Sequence, residues 1–105
     1  MLYMVEAWAT IEKGDTIDSG DGPGPFFAKI ADRFRPQAIY GNPTRRQMFM
    51  VVDLGSPADV AELMYALTWF TGNEPKFTPV MLPETYGEAI GKAKKMVSPI
   101  ATKRA

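Results

Sequence analysis

The architecture of this chain follows first from residues 2–11, which read Leu2-Tyr3-Met4-Val5-Glu6-Ala7-Trp8-Ala9-Thr10-Ile11. Side chains alternate between the two faces of a β-strand, and here both alternating sets are mainly apolar. One set contains Val5 and Ala7, and the other contains Met4 and Trp8. A strand that is apolar on both faces needs cover on both faces. We therefore expect something to pack against each side of the sheet that contains it.

The rest of the chain predicts three helices and three further strands. Apolar spacing and β-prone runs favour helices over residues 25–35, 57–71 and 84–97 and strands over residues 38–40, 48–54 and 77–82. The glycines, prolines and aspartates of residues 12–25 predict a long loop. The second helix has the clearest start, because Ser56 can cap it, Pro57 suits its first position and Asp59 meets its positive end. Gly72 is a suitable end for this helix.

The order strand–helix–strand–strand–helix–strand, followed by a last helix, predicts an α+β protein with the ferredoxin-like βαββαβ fold. We expect a four-stranded antiparallel sheet with the first and third strands in the centre and both main helices on one face. The single domain is expected to span residues 1–97, and residues 98–105 are expected to form a flexible basic tail. The opposite sheet face stays apolar through Met4, Trp8 and Phe49, yet nothing in the chain is predicted to cover it. A second copy or a ligand is expected there.

At this level the chain resembles the dimeric α/β-barrel superfamily, whose ferredoxin-like sheets pair into a barrel. The resemblance rests on residues 3–9, on the strand, cap and helix of residues 48–70, and on residues 76–83 leading into the last helix. Within the superfamily the chain is most similar to small uncharacterised members. The resemblance implies a homodimer, or a higher oligomer, with a paired-sheet barrel. The family's chemistries include muconolactone isomerisation, cofactor-free oxygenation, haem degradation and dehydration, and the chain contains no catalytic signature that selects one of them.

Two absences restrict the chemistry of this 105-residue chain, which has no cysteine and no histidine. Without cysteine it has no disulfide framework, thiolate nucleophile, zinc ribbon or iron–sulfur cluster. Without histidine it has no serine–histidine triad of the usual kind and no imidazole ligand for a metal or haem. The haem branch of the superfamily uses a histidine that this chain lacks. We therefore expect no cofactor and no metal.

The charge balance and the hydropathy of the chain restrict its expected partners and its expected location in the cell. Twelve basic and twelve acidic side chains give a net charge of zero, which offers no electrostatic footprint for nucleic acid. No apolar run approaches the roughly 20 residues of a membrane-spanning helix. The N-terminus also lacks the basic region and cleavage site of a secretory signal. We expect a cytoplasmic protein that binds neither nucleic acid nor membrane.

The first and third strands carry the candidate catalytic carboxylates, Glu6 and Asp53. Glu6 lies between apolar neighbours, where a carboxylate is costly unless it is paired or stays protonated, so it is a candidate general acid or base. Its alternative is a structural ion pair with Arg45 or Arg46, or an exposed position at a strand end. Asp53 shares the alternation of Phe49 but ends its strand beside a turn, which favours a structural role.

Candidate ligand-binding residues lie on the same strands and around the predicted hairpin turn. They are Trp8, Tyr40, Arg45, Gln47 and Phe49. Trp8 is able to stack on a planar ligand, although a large residue on an interface strand is more often a dimer anchor. An arginine beside the turn is able to hold a carboxylate or phosphate. The simpler alternative, which we favour, is a solvated hairpin turn without a ligand. Adjacent residues of a strand point to opposite faces, so we expect at most one of Arg45 and Arg46 to face the barrel.

Other charged segments favour structural interpretations. Asp15, Asp18 and Asp21 are spaced unlike the alternating ligands of a calcium loop, so they indicate an acidic loop rather than a metal site. Lys92, Lys94 and Lys95 lie in the last helix, where cations are favourable at the C-terminal end.

Two functions remain open from the sequence. The first is a homodimer that binds a small organic molecule in the barrel lumen, with cofactor-free isomerase or oxygenase-like proton transfer through Glu6. The second is a non-enzymatic oligomerising or regulatory module whose interface is packed solid.

Overall fold

The computed structural model describes residues 1–102, with side chains through residue 98. Along the chain the elements are β1 (Leu2–Trp8), α1 (Ile11–Ser19), α2 (Gly24–Phe34), β2 (Ala38–Asn42), β3 (Gln47–Asp53), α3 (Pro57–Thr71), β4 (Lys76–Pro79) and α4 (Pro83–Thr102). The fold is α+β, with four strands in one open antiparallel sheet and four helices in the described part of the chain.

The strand order is β2-β3-β1-β4, so β1 and β3 are the central strands, as the sequence predicted. All three pairings are antiparallel. In the β1–β3 register Val5 lies opposite Met50 and Glu6 lies opposite Phe49. Directly paired residues point to the same side of the sheet, so this register sorts the apolar residues of the two strands into two faces.

One of these faces carries the hydrophobic core. Its buried residues are Val5 and Ala7 from β1, Met48, Met50 and Val52 from β3, Ile30 and Phe34 from α2, Leu63 and Leu67 from α3, and Leu54. The helices α2 and α3 therefore cover the same side of the sheet, as predicted. Each fully buried aliphatic side chain of this size contributes about 1.5–3 kcal/mol to stability.

The segment predicted as a long loop contains a helix, α1, and in this respect the sequence prediction was wrong. The Thr10 hydroxyl caps α1 by accepting a hydrogen bond from the backbone N–H of Lys13 at 3.1 Å. Within α1 only Gly14 is buried, and Ile17 is partly buried. α1 carries no long apolar stripe, so its helical periodicity in the sequence is weak. Its cap at Thr10 and its contacts with α3 hold it in place. Gly20 is the C-terminal cap of α1, and Gly22 adopts a positive φ of 75° in the turn that follows.

The C-terminal part also differs from the sequence prediction. β4 ends at Pro79, before the predicted residue 82, and α4 runs to Thr102. The flexibility predicted for residues 98–105 stays a prediction, and residues 103–105 lie outside the described residues. Tyr86, Ile90 and Val97 of α4 are exposed. The described chain measures 66 × 25 × 23 Å, because α4 extends away from the sheet and the other helices.

Among the helices described, none combines the length and the apolarity that crossing a membrane requires.

The cap of α3 gives a test of the fold. The Ser56 side chain accepts a hydrogen bond from the backbone N–H of Asp59 at 3.2 Å, and Pro57 opens the helix, as predicted. We expect Ser56→Ala to lower the free energy of unfolding by about 0.5–2 kcal/mol, because the helix loses this capping bond. Urea unfolding measures the loss. Ser56→Asp keeps a capping oxygen and should retain most of the stability, and equal losses in both variants would contradict the assignment.

Candidate functional site

The sheet face opposite the core is uncovered by any helix among the described residues. We call it the open face, and on β1, β2 and β3 it includes Met4, Glu6, Trp8, Tyr40, Gln47, Phe49 and Val51. Thr78 and Lys76 of β4 lie on it opposite Met4 and Glu6. Within this set Trp8 lies opposite Gln47, and Phe49 lies between Glu6 on one side and Tyr40 on the other. Met4, Trp8 and Tyr40 are exposed. The open face therefore has the uncovered apolar character that the alternation of the first strand predicts.

A shallow pocket of about 510 Å³ occupies one end of the open face. It is lined by Glu6, Trp8, Ala9, Ile11, Arg45, Arg46, Gln47 and Lys76. Four residues proposed from the sequence, Glu6, Trp8, Arg45 and Gln47, thus meet around one space. Phe49 and Tyr40 lie beside it on the sheet but do not line it. The pocket combines an indole surface with a carboxylate, an amide and cations, which suits a planar molecule with polar substituents.

Glu6 has a different partner from the ones that the sequence suggested. Its Oε2 lies 3.9 Å from Nζ of Lys76, and neither Arg45 nor Arg46 pairs with it. The cause is the antiparallel register of β1 and β4, which places Lys76 directly opposite Glu6. The Glu6 side chain is 26% exposed. It is thus accessible from the pocket, where a carboxylate is able to accept a proton or a hydrogen bond.

Asp53, the second candidate carboxylate, lies away from the pocket. It pairs with Leu2 at the opposite end of β1, about 13 Å along the strand from Phe49 at the usual rise per residue. Its Oδ1 accepts a hydrogen bond from the N-terminal ammonium of Met1 at 2.8 Å, and its side chain is 68% exposed. These contacts assign Asp53 a structural place at the strand end and do not bring it to Glu6.

The two arginines of the hairpin turn have separate environments. Arg46 reaches α1, where its Nη2 lies 2.9 Å from Oδ1 of Asp15 and 3.0 Å from Oδ2 of Asp18. The hydrogen bond that Arg46 donates to Asp15 raises the pKa of the guanidinium, and the charge of Asp18 acts in the same direction. Arg45 makes no ion pair with any residue that the structure describes, so it is the arginine that is free to meet a ligand.

Gly14 is the reason that Arg46 fits across α1. A Cβ atom at Gly14 would lie 2.5 Å from both Cδ and Nη1 of Arg46, which is closer than real atoms approach. The absence of a side chain at this position lets the guanidinium also donate to the Ile11 carbonyl at 3.3 Å. Asp15 and Asp18 of the predicted acidic loop are thus ion-pair partners of Arg46 in a helix, whereas Asp21 follows that helix.

Sequence reasoning missed Lys76 and the α1 residues that border the site. Lys76 is the first residue of β4, and the predicted strand began one residue later, so it was not aligned with Glu6. A signal was present, because extending the β4 run by one residue opposite the first strand places a cation beside the carboxylate. Ile11 lines the pocket from the start of α1, the helix that was predicted as a loop.

Comparison of the chain with models of known protein families and with curated proteins found no match to either.

The contact of Gly14 with Arg46 is testable by a double-mutant cycle. Alanine is favoured over glycine in a helix by about 1 kcal/mol, but at position 14 its Cβ would displace the Arg46 side chain. We therefore expect Gly14→Ala to stabilise the protein clearly in an Arg46→Gln background and much less in the native background, as measured by urea unfolding.

Gly24 supplies the control for this cycle, since it lies in α2 and a Cβ there would meet no atom within 4 Å. Gly24→Ala should change stability equally in both backgrounds. Equal effects for Gly14→Ala as well would show that the two positions are not coupled.

Proposed function

We propose that the chain is a ferredoxin-like protein that forms a homodimer by pairing its open faces into a barrel, and that this barrel binds a small organic molecule beside Trp8. The observation that carries the proposal is the uncovered apolar open face. The order β2-β3-β1-β4, with α2 and α3 packed on one side only, supports the fold. In a dimer with a twofold axis the same surface patch of each subunit faces the other, so the open face of one copy covers the open face of the second.

The composition of the open face suits an interface with a pocket at its end. Met4, Phe49 and Val51 supply aliphatic and aromatic area near its middle, and exposed apolar area of this kind commonly marks an association site. Polar groups concentrate around the pocket, where Glu6, Arg45 and their neighbours lie. Association would remove water from the pocket and strengthen its electrostatic interactions.

A second uncovered apolar surface, on α4, also favours association. Tyr86, Ile90 and Val97 recur at helical spacing, and all three are exposed. Isolated helices are marginally stable in water, and Gly87 and Gly91 each weaken this one by about 1 kcal/mol relative to alanine. A helix of this composition gains stability from a neighbouring molecule.

Within the pocket Glu6 is the group suited to proton transfer without a cofactor. A carboxylate beside a bound carbonyl compound is able to remove a proton from the adjacent carbon and return it at another position, which is an isomerisation. The free Arg45 guanidinium and the Lys76 ammonium are able to stabilise the negative oxygen that forms. Trp8 would hold a planar substrate by stacking.

The ion pair of Glu6 favours a second candidate function. Lys76 at 3.9 Å already compensates the Glu6 charge without a ligand. The same residues then serve a non-enzymatic oligomerising or regulatory module, in which the paired open faces are packed solid and the ion pair lies at the rim.

Trp8→Ala tests the interface. Trp8 is 39% exposed on the open face, and truncating an aromatic hot-spot residue costs an interface about 2 kcal/mol or more, about thirtyfold in the dissociation constant. We expect sedimentation equilibrium to show a native dimer and a weakened dimer for Trp8→Ala.

Trp69 provides the matched control, because it lies on α3 and is 74% exposed. Trp69→Ala should leave the dimer unchanged. A monomeric native protein, or equal effects of the two substitutions, would contradict pairing through the open face.

The enzymatic proposal is tested by proton exchange. We expect the native protein in deuterated buffer to catalyse exchange at the carbon beside the carbonyl in some members of a panel of small ketones and lactones, measured by NMR. Glu6→Gln should lower the rate by about 100-fold or more, because it removes the base. Lys76→Gln should retain more activity than Glu6→Gln. Exchange in no panel member, or equal rates in native protein and Glu6→Gln, would favour the non-enzymatic module.

A further inference from the structure

A second cavity lies on the opposite side of the sheet from the open-face pocket, between the sheet and the helices α1, α2 and α3. Its volume is about 210 Å³. Ala7 and Met48 line it from the core face of the central strands, and Leu67 lines it from α3. We call it the helix-side cavity. It needs no second copy of the chain, because these elements all belong to one subunit.

The interior of the helix-side cavity is aromatic and aliphatic. Phe26 and Phe27 of α2 and Phe70 of α3 contribute three rings, and Ile17 of α1 adds an aliphatic side chain. Phe26 and Phe70 stack with their ring centroids 3.9 Å apart and their planes only 2° from parallel. The three rings are only partly buried, so the cavity opens to solvent and its apolar walls are accessible to a ligand.

The polar group in the interior of this cavity has hydrogen-bond partners within the protein, and charged groups lie at the cavity's opening. The Thr71 hydroxyl oxygen lies 2.7 Å from the carbonyl oxygen of Leu67 and 2.9 Å from that of Asn73, so its hydrogen is bonded within the protein and is not available to a ligand. Arg46 is held by the aspartates of α1, whereas Arg45 at the mouth has no ion-pair partner among the described residues. A ligand that fits this distribution has an apolar body and one anionic group at its end.

We propose that the helix-side cavity binds a small monocyclic aromatic carboxylate, with the ring against Phe26 and Phe70 and the carboxylate beside Arg45. The size agrees with this class, because an apolar cavity of about 150 Å³ is known to accept benzene. The additional volume accommodates substituents on the ring. An arginine is suited to the carboxylate because its planar guanidinium is able to donate two parallel hydrogen bonds. This site lies on the other side of the sheet from the proposed barrel site and does not depend on dimerisation, although Arg45 borders both.

Two methionines allow the two faces of the sheet to be observed separately. Met48 lines the helix-side cavity, and Met4 lies on the open face. We expect benzoate to shift the ¹³C-methyl NMR signal of Met48 in a saturable manner, since a ring in the cavity would alter its magnetic environment, and to leave Met4 unchanged. No shift of Met48 at concentrations up to about 10 mM, or a shift confined to Met4, would overturn the proposal.

Substitution of Gly41 tests the location by filling the cavity. Gly41 lies on β2 opposite Met48 and lines the cavity, and a Cβ at this position would meet no atom within 4 Å. We expect Gly41→Leu to abolish the benzoate shift of Met48. Gly87→Leu is the matched control, because Gly87 is equally unobstructed but lies on α4. It should bind benzoate as the native protein does, and unchanged binding by Gly41→Leu would overturn the proposed location.

Substitution of Arg45 tests the chemical class. Arg45→Gln should weaken benzoate binding by roughly tenfold or more, as expected when a hydrogen bond to a charged group is lost. Binding of toluene, which lacks the carboxylate, should be unaffected by Arg45→Gln and abolished by Gly41→Leu. Equal effects of Arg45→Gln on benzoate and toluene would overturn the assignment of a carboxylate ligand. This comparison keeps the proposal testable even where Gly41→Leu fails to fold.

Discussion

The antiparallel pairing of β1 with β3 is the constraint on which the rest of the structure depends. The register runs from Leu2 opposite Asp53 to Trp8 opposite Gln47. A shift of one residue would turn every side chain of a strand to the other face. In the native register Val5 and Met50 are fully buried under the helices, and Glu6 and Phe49 lie on the open face. The hydrophobic core and the proposed interface are therefore two consequences of one pairing.

The turn between β2 and β3 connects the two sides of the sheet. Arg45, Arg46 and Gln47 border both the open-face pocket and the helix-side cavity. Arg46 is committed to α1 through Asp15 and Asp18, so it serves the structure of the helix side. Arg45 makes no ion pair with any described residue, so it is the unpaired arginine that borders both spaces. The position of α1 therefore determines that, within the described part of the chain, Arg46 is ion-paired and Arg45 is not.

The parts of the structure that were predictable from the sequence are those with strong local signals. Alternation in β1 and β3 predicted two apolar faces, and Ser56 with Pro57 predicted the start of α3. The helix α1 was not predictable in this way, because its position depends on Arg46, a residue 31 positions along the chain from Asp15. The Glu6–Lys76 pair was missed because the predicted fourth strand began at Phe77, one residue after Lys76, so the register that aligns Lys76 with Glu6 was not considered. Ion pairs between distant segments leave no periodic pattern.

The two proposed sites differ in how they respond to protein concentration, and this follows from their positions. Binding between paired open faces requires the dimer, so its apparent affinity rises as the protein associates. Binding in the helix-side cavity involves one subunit only, so its affinity should be the same in monomer and dimer. Arg45 is the residue at which the two could interact, because it borders both spaces. An anion that holds Arg45 on one side of the sheet makes it less available on the other, and linkage then requires each ligand to weaken the other equally.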